Sequence, residues 1–293
     1  MTRTPLPGNA VHTGPQPSRT ALTAAAARAA HLLVDGAPPI FSDVLAAALL
    51  GPDAEELLAY HRIHGDHPVL AGARAQAICR SRYTEDSLAR SGAAQYVILG
   101  AGLDSYACRA GADGPVRVFE VDHPASQQAK RRRLTAAGIT IPETLAFVPV
   151  DFETDSPGEA LTRGGLDPSR PVFVSWLGVT MYLTRKAIEA TLAALSSFAP
   201  GTEIVVDHML PPDLRDEAGN AYADAVMPVA AAQGEPWRTF LSPAAMAGSL
   251  REAGFEILDQ AGQRDSVDAA LWAREDALRP IALSMLTRAG IPA

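Results

Sequence analysis

The chain is short of cysteine, of aromatic side chains and of positive charge, and it has no long apolar run. Its two cysteines, Cys79 and Cys108, form neither a disulfide framework nor a metal-binding spacing. That usage suits a reducing compartment, and a cytoplasmic protein is expected. No apolar stretch reaches the roughly 18 residues that a membrane span needs, and the first residues lack the basic-then-apolar order of a signal peptide. No membrane partner is therefore expected. A net charge of −8 argues against a nucleic-acid partner, because phosphates select a basic face. The one dense basic run, Lys130 to Arg133, reads as the solvated face of a helix. What is present suits an enzyme: 293 residues, 47% hydrophobic and 20% charged, with ample material for a core.

Residues 1–19 hold four prolines and two glycines and read as a loosely held arm. Alanine-rich Thr20–Leu33 predicts a helix, ended by Asp35-Gly36 and Pro38-Pro39. Ser42 is positioned to cap a second helix over Asp43–Leu50. Residues 53–89 read as helical, with a break near Gly65 and Pro68. The chain thus opens with a helical cap over residues 20–90. His61, His64 and His67 recur at a spacing that stacks on one helix face, but the break separates them and no carboxylate or cysteine joins them, so no metal site is expected.

From residue 91 onward the pattern becomes continuous apolar runs, as in strands covered on both faces. Tyr96–Leu99, Val116–Val121, Ala146–Val150, Val172–Leu177 and Glu203–Val206 are predicted strands. Helices are predicted over Pro124–Ala137, Gly158–Arg163 and Thr184–Phe198. This alternation indicates an α/β fold with a parallel sheet. A helix capped by Ser242 runs to Ala253, followed by a strand over Phe255–Leu258 and a last strand through Ala270–Ala273. Residues 209–240, rich in proline, form an insertion at the carboxyl edge of the sheet, where ligands bind.

The ends of these strands carry the chemistry. The first empties into Gly100-Ala101-Gly102, a turn in which a ligand approaches backbone without meeting a Cβ. The second ends Glu120-Val121-Asp122. Asp122 lies twenty residues past Gly102, the spacing at which a carboxylate accepts ribose hydroxyls; its plainer role is to cap the helix at Pro124. Glu120 shares its strand face. The third strand ends Asp151-Phe152, an acid for an adenine amino group and a ring to pack on the base, or simply a surface turn. Ser105 stands where a dinucleotide fingerprint needs its third glycine, which speaks against a nicotinamide-dependent oxidoreductase, the alternative from another enzyme class.

In order and spacing, QYVILGAGLDSYACR, VFEVDHP, VPVDFE and WLGVTMYLT resemble the leucine carboxyl methyltransferase-like family, which includes bacterial enzymes of polyketide and other secondary metabolism. TALTAAAARAAHLL, IFSDVLAAALLG and CRSRYTEDSLA resemble its N-terminal cap and the helix leading into its first strand. The resemblance covers roughly residues 20 to 275. It implies a class I fold, a Rossmann-like sheet of seven mostly parallel strands with the helical cap, and S-adenosyl-L-methionine as cofactor. It implies that Arg80 binds the methionine carboxylate, a task suited to guanidinium. Gly100, Ala101 and Gly102 then line the methionine half, Asp122 with Glu120 the ribose, and Asp151 and Phe152 the adenine. Leu177 stands where relatives carry a glutamate that meets the cofactor's amino group, so that contact falls to another group or to backbone. This departure keeps open a cofactor-binding protein without turnover.

The implied partner is a small-molecule methyl acceptor. A carboxylate acceptor is already ionised at neutral pH and needs no base. A hydroxyl acceptor needs a base within hydrogen-bond reach, and His208 and Tyr182 are the candidates. Trp237, Trp176 and Phe240 are candidate walls for an apolar acceptor.

Overall fold

The computed structural model describes residues 18–110 and 116–292. The expected arm lies outside the described residues apart from Ser18 and Arg19. Ser18 accepts a hydrogen bond from the Ala21 amide and so caps α1 (Arg19–Val34). The alanines of α1 let neighbouring helices approach closely. Leu22, Ala25, Ala26, Ala29 and Ala30 are buried together with Leu50 and Leu58. The second cap helix is shorter than its sequence suggests. Asp43 is drawn inward to Arg28, the chain turns, and only Ala46–Leu49 is helical (α2), with no side-chain cap from Ser42. α3 (Ala54–His64) and α4 (Pro68–Ser91) follow, separated at Gly65. His67 caps α4, and Gly92 ends it in the left-handed conformation at φ +65°.

The sheet then begins. β1 (Gln95–Leu99) is buried throughout. Its odd and even side chains enter opposite cores: Val97 and Leu99 on one face, Tyr96 and Ile98 on the other. The chain continues through α5 (Tyr106–Ala110), β2 (Arg117–Asp122), α6 (Pro124–Ala136), β3 (Leu145–Pro149), α7 (Pro157–Arg163), β4 (Phe173–Trp176), α8 (Arg185–Leu195) and β5 (Glu203–Met209). The insertion forms α9 (Glu217–Ala232). α10 (Pro243–Glu252), capped by Ser242, leads to β6 (Glu256–Ala261) and β7 (Ser284–Gly290). The strand order is β3-β2-β1-β4-β5-β7-β6, with β7 antiparallel to both neighbours. The order reverses between β1 and β4, and the carboxyl ends there open a ligand crevice.

Two sequence expectations are corrected. The last strand is Ser284–Gly290, whereas Ala269–Trp272 is a short 3₁₀ turn capped by Asp268. The basic run on α6 is a solvated face only in part: Arg131 and Arg132 are exposed, whereas Lys130 and Arg133 are buried. Lys130 is buried against Glu120 at 2.5 Å, and Arg133 reaches the carbonyls of Leu49 and Leu50 and Asp53 Oδ2 at 2.6 Å. Arg131 lies over the Phe147 ring. Arg133 thus ties the cap to the sheet domain, while Lys130 and Arg131 hold α6 to β2 and β3.

The cap is also closed internally around Asp35, whose side chain is 1% exposed. Arg74 donates to both of its oxygens at 2.8 Å and to the Gly65 carbonyl, and His31 Nδ1 donates to it at 2.9 Å. The Ile40 amide donates to His31 Nε2. Removing one partner of a buried pair strands the other's charge. Arg74→Met is therefore expected to lower the unfolding free energy by about 3–5 kcal/mol, with Asp35→Asn in the same chain restoring part of the loss. Urea unfolding of the single and double variants measures both.

Candidate functional site

A cavity of about 740 Å³ lies over the carboxyl ends of β1, β2 and β4, roofed by α1, α4 and α9. Its floor is the turn after β1. The amides of Gly100 and Ala101 both donate to the Val121 carbonyl, at 2.7 and 3.1 Å. Gly100 has φ +68°, and a Cβ there would strike the Val179 side chain. The Gly102 amide donates to Asp122 Oδ2 at 2.6 Å, and the His123 amide to Asp122 Oδ1 at 2.7 Å. Asp122 thus fastens the turn and does not cap α6, a role taken by His123. Burial raises its pKa above the ordinary carboxylate range, and the two amides oppose that rise. Each oxygen keeps a further lone pair for a ligand.

Arg80 comes down from α4 onto Gly178, the glycine after β4. Gly178 has φ +67°, and a Cβ there would fall 2.5 Å from Arg80 Nη1. The guanidinium is held from behind. Nη1 donates to Asp207 Oδ2 at 3.1 Å, and the Asp207 side chain is fully buried. Gln76 joins Asp207 to Ser284, its amide nitrogen 3.4 Å from both carboxylate oxygens and 2.7 Å from the serine hydroxyl. Arg80 itself is 15% exposed and lines the cavity. Asp207 and Gln76 were missed in the sequence. The strand that carries Asp207 is predicted to stop at Val206, and the signal was its extension through VVDHM.

Gly100, Ala101, Gly102, Asp122, Asp151, Phe152, Leu177 and Tyr182 all line the cavity, as does Arg80. Asp151 also makes a local turn, accepting from the Glu153 amide at 3.0 Å. Phe152 packs on Trp176, ring centroids 6.2 Å apart. Three expectations fail. Glu120 shares a strand face with Asp122 but lies two residues deeper, about 6–7 Å along the strand. There α6 covers it, and burial pushes its carboxyl up to about 7 against the pull of Lys130. His208 alternates with Asp207, so it faces the opposite side of β5 and sits buried between the Leu241 carbonyl and Thr287 Oγ1, each at 3.0 Å. Trp176 is fully buried core and not wall. Tyr182 lines the cavity, and burial raises its pKa from the usual phenol value. Of the three spaced histidines, His61 turns inward to Arg74 while His67 caps α4. Among the described residues no cluster of three or more His, Cys, Asp or Glu is placed to hold a metal ion.

The sequence model of the leucine carboxyl methyltransferase family matches residues 21–196. The "Putative S-adenosyl-L-methionine-dependent methyltransferase YktD" of Bacillus subtilis is 34% identical over 206 residues, covering 69% of this chain and 67% of its own length. A Mycobacterium avium relative with the same description is 33% identical over 202 residues, 64% of this chain and 63% of its own length. The matches thus span about two thirds of these relatives. Among solved structures, a DUF574 family protein from Streptomyces avermitilis superposes with a TM-score of 0.62 at 17% identity, over 94% of this chain and 98% of its own. The methyltransferase SibL superposes with a TM-score of 0.52 at 17% identity, over 92% and 70%. At these identities the structural likeness concerns the fold.

The burial of His208 has a consequence for pH. Desolvation lowers its pKa from 6.5 to about 4, opposed by the Leu241 carbonyl. It is neutral when folded and ordinary when unfolded, so unfolding takes up a proton between those values. The stability it contributes is whole above pH 6.5 and is lost as the pH falls toward 4. His208→Gln is expected to flatten the decline of unfolding free energy across this window by up to about 1.4 kcal/mol per pH unit. Urea titrations of both proteins across the window check this.

Proposed function

The chain belongs to the leucine carboxyl methyltransferase family, and we propose that it transfers a methyl group from S-adenosylmethionine to an oxygen of a small organic molecule, a carboxylate in preference to a hydroxyl. The observation that carries this reading is Arg80, laid on Gly178 and braced by Asp207. It is a cation turned toward a cavity whose floor is a positive-φ glycine turn. The residues fit the cofactor. Arg80 would grip the methionine carboxylate bidentately. The Gly100–Gly102 turn would lie against the methionine half, Asp122 would accept the ribose hydroxyls through its remaining lone pairs, and Phe152, stiffened by Trp176, would pack on the adenine with Asp151 at its edge. Leu177 brings no carboxylate, so the cofactor's amino group would rely on backbone. When bound, S-adenosylmethionine supplies a sulfonium methyl group, whose carbon–sulfur bond breaks as an acceptor oxygen forms the new carbon–oxygen bond.

The chain's own part is to orient and to exclude water. α1 and α9 roof the cavity, and Glu235 Oε2 accepts from the Thr20 amide at 3.2 Å, joining the two sides of the roof. Of the two sequence candidates for a base, His208 is sealed away from the cavity, and Tyr182 lines it with a pKa raised by burial. A carboxylate acceptor arrives ionised and has no proton to lose, which favours it over an alcohol. Secondary metabolism is the setting this reading suggests.

Calorimetry with S-adenosylhomocysteine tests the assignment. Wild-type protein is expected to bind. Gly178→Ala, whose methyl displaces the guanidinium, and Asp122→Ala are each expected to weaken binding by about tenfold or more without loss of the folded spectrum. An absence of binding by the intact wild type contradicts the reading, and unchanged affinity in both variants contradicts the residue roles.

A further inference from the structure

The apolar part of the cavity has a length and a direction. On α4 its wall is the stripe Ala73, Leu70 and Val69, which runs away from Arg80 toward the helix N-terminus. Between Val69 and Arg80 the helix rises about 16 Å. On α9 the wall is Tyr222, Ala225, Val226 and Val229, spaced so that they share one helix face. Gly72 lets that face close on α4, since a Cβ there would fall 3.0 Å from the Tyr222 ring. Over these two stretches neither helix brings a charged side chain to the cavity. The apolar wall also reaches the surface. Tyr60, from α3, and Val229 both line the cavity, yet they are 56% and 55% exposed. Ile63, about one turn beyond Tyr60, is exposed as well.

A chamber with a cation at one end and apolar side chains along the rest selects by shape. A polar group carried past Arg80 would lose its hydration with little to replace it. A short ligand would leave Leu70 and Val69 in contact with water, and each methylene that covers them adds to binding. Apolar surface left open at a cavity mouth marks a ligand path. We propose that the methyl acceptor is an elongated apolar molecule. Its one polar group lies at the Arg80 end, its body runs along Ala73, Leu70 and Val69 against α9, and its far end leaves the protein at Tyr60 and Val229. This rests on the methyl-transfer reading above and adds the length of the acceptor and the residues that select it.

Calorimetry with a neutral series of one head group tests it: 1-butanol, 1-hexanol, 1-octanol and 1-decanol, titrated into the full chain with and without saturating S-adenosylhomocysteine. Affinity is expected to rise about three- to fourfold per added methylene through 1-octanol. Ala73→Leu puts a larger side chain into the chamber two helical turns from Arg80, and Val229→Asp puts a charge at the mouth. Each is expected to weaken 1-decanol about tenfold or more, to change 1-butanol less than threefold, and to change S-adenosylhomocysteine affinity less than twofold. Val229 is exposed, so its variant tests the proposal even if Ala73→Leu fails to fold. No gain in affinity beyond 1-butanol, or 1-decanol affinity unchanged in the folded variants, would overturn the proposal. Length-dependent binding that the variants weaken, in a chain that does not bind S-adenosylhomocysteine, would instead fault the cofactor assignment and leave the apolar chamber standing.

Discussion

A guanidinium taken most of the way out of water has to be met by a carboxylate, and the architecture of this site follows from how Arg80 satisfies that demand. Asp207 meets it from behind, at 3.1 Å, so one side of the guanidinium is neutralised inside the protein and the rest is left toward the cavity. The pair needs three elements in register: α4 to carry the arginine, β5 to carry the aspartate, and a residue without a side chain at Gly178 so that the arginine can lie on the backbone. Gln76, one helical turn before Arg80, ties Asp207 to Ser284 on β7. The antiparallel strand therefore contributes to the site through this hydrogen-bonded chain.

The glycine turn is held with similar economy. Asp122 accepts from Gly102, and Val121 accepts from Gly100 and Ala101, so β2 fixes the turn from one side. On the other side Leu103 enters the core of the cap and its carbonyl accepts from Arg28 at 2.7 Å, while Ser105 donates to Asp43, the partner of Arg28. The few residues of this turn thus bind the cap and form the floor of the cavity together. The cap is consequently part of the site, with Ser18, Thr20 and Ala24 of its first helix lining the cavity.

Much of this was legible in the sequence because it is local. Continuous apolar runs that end in glycine or an acid mark the first five strands, and the ends of β1, β2 and β3 mark the floor and edge of the cavity. What was not legible depends on partners distant in the chain. Arg133 and Lys130 look like solvent-facing charges until α2 and Glu120 are brought beneath them. SMLTRAG has no strong strand pattern of its own, and β7 takes its conformation from pairing with β5 and β6 on either side. The apolar LWA, by contrast, belongs to a capped turn. His208 stands at a strand end as a base would, but strand parity turns Asp207 toward the site and His208 away from it.

The central claim is that Arg80 reads the amino-acid half of the cofactor. Comparing affinities for S-adenosylhomocysteine and for 5′-methylthioadenosine, which keeps the nucleoside and lacks that half, tests it most directly when done in wild-type protein and in Arg80→Ala. The account predicts that wild type prefers S-adenosylhomocysteine by about a hundredfold and that the variant loses most of that preference while its affinity for methylthioadenosine stays nearly constant, a difference of about 2–3 kcal/mol assigned to one contact. A preference that survives intact in Arg80→Ala, or a wild type that binds the two equally, would contradict it.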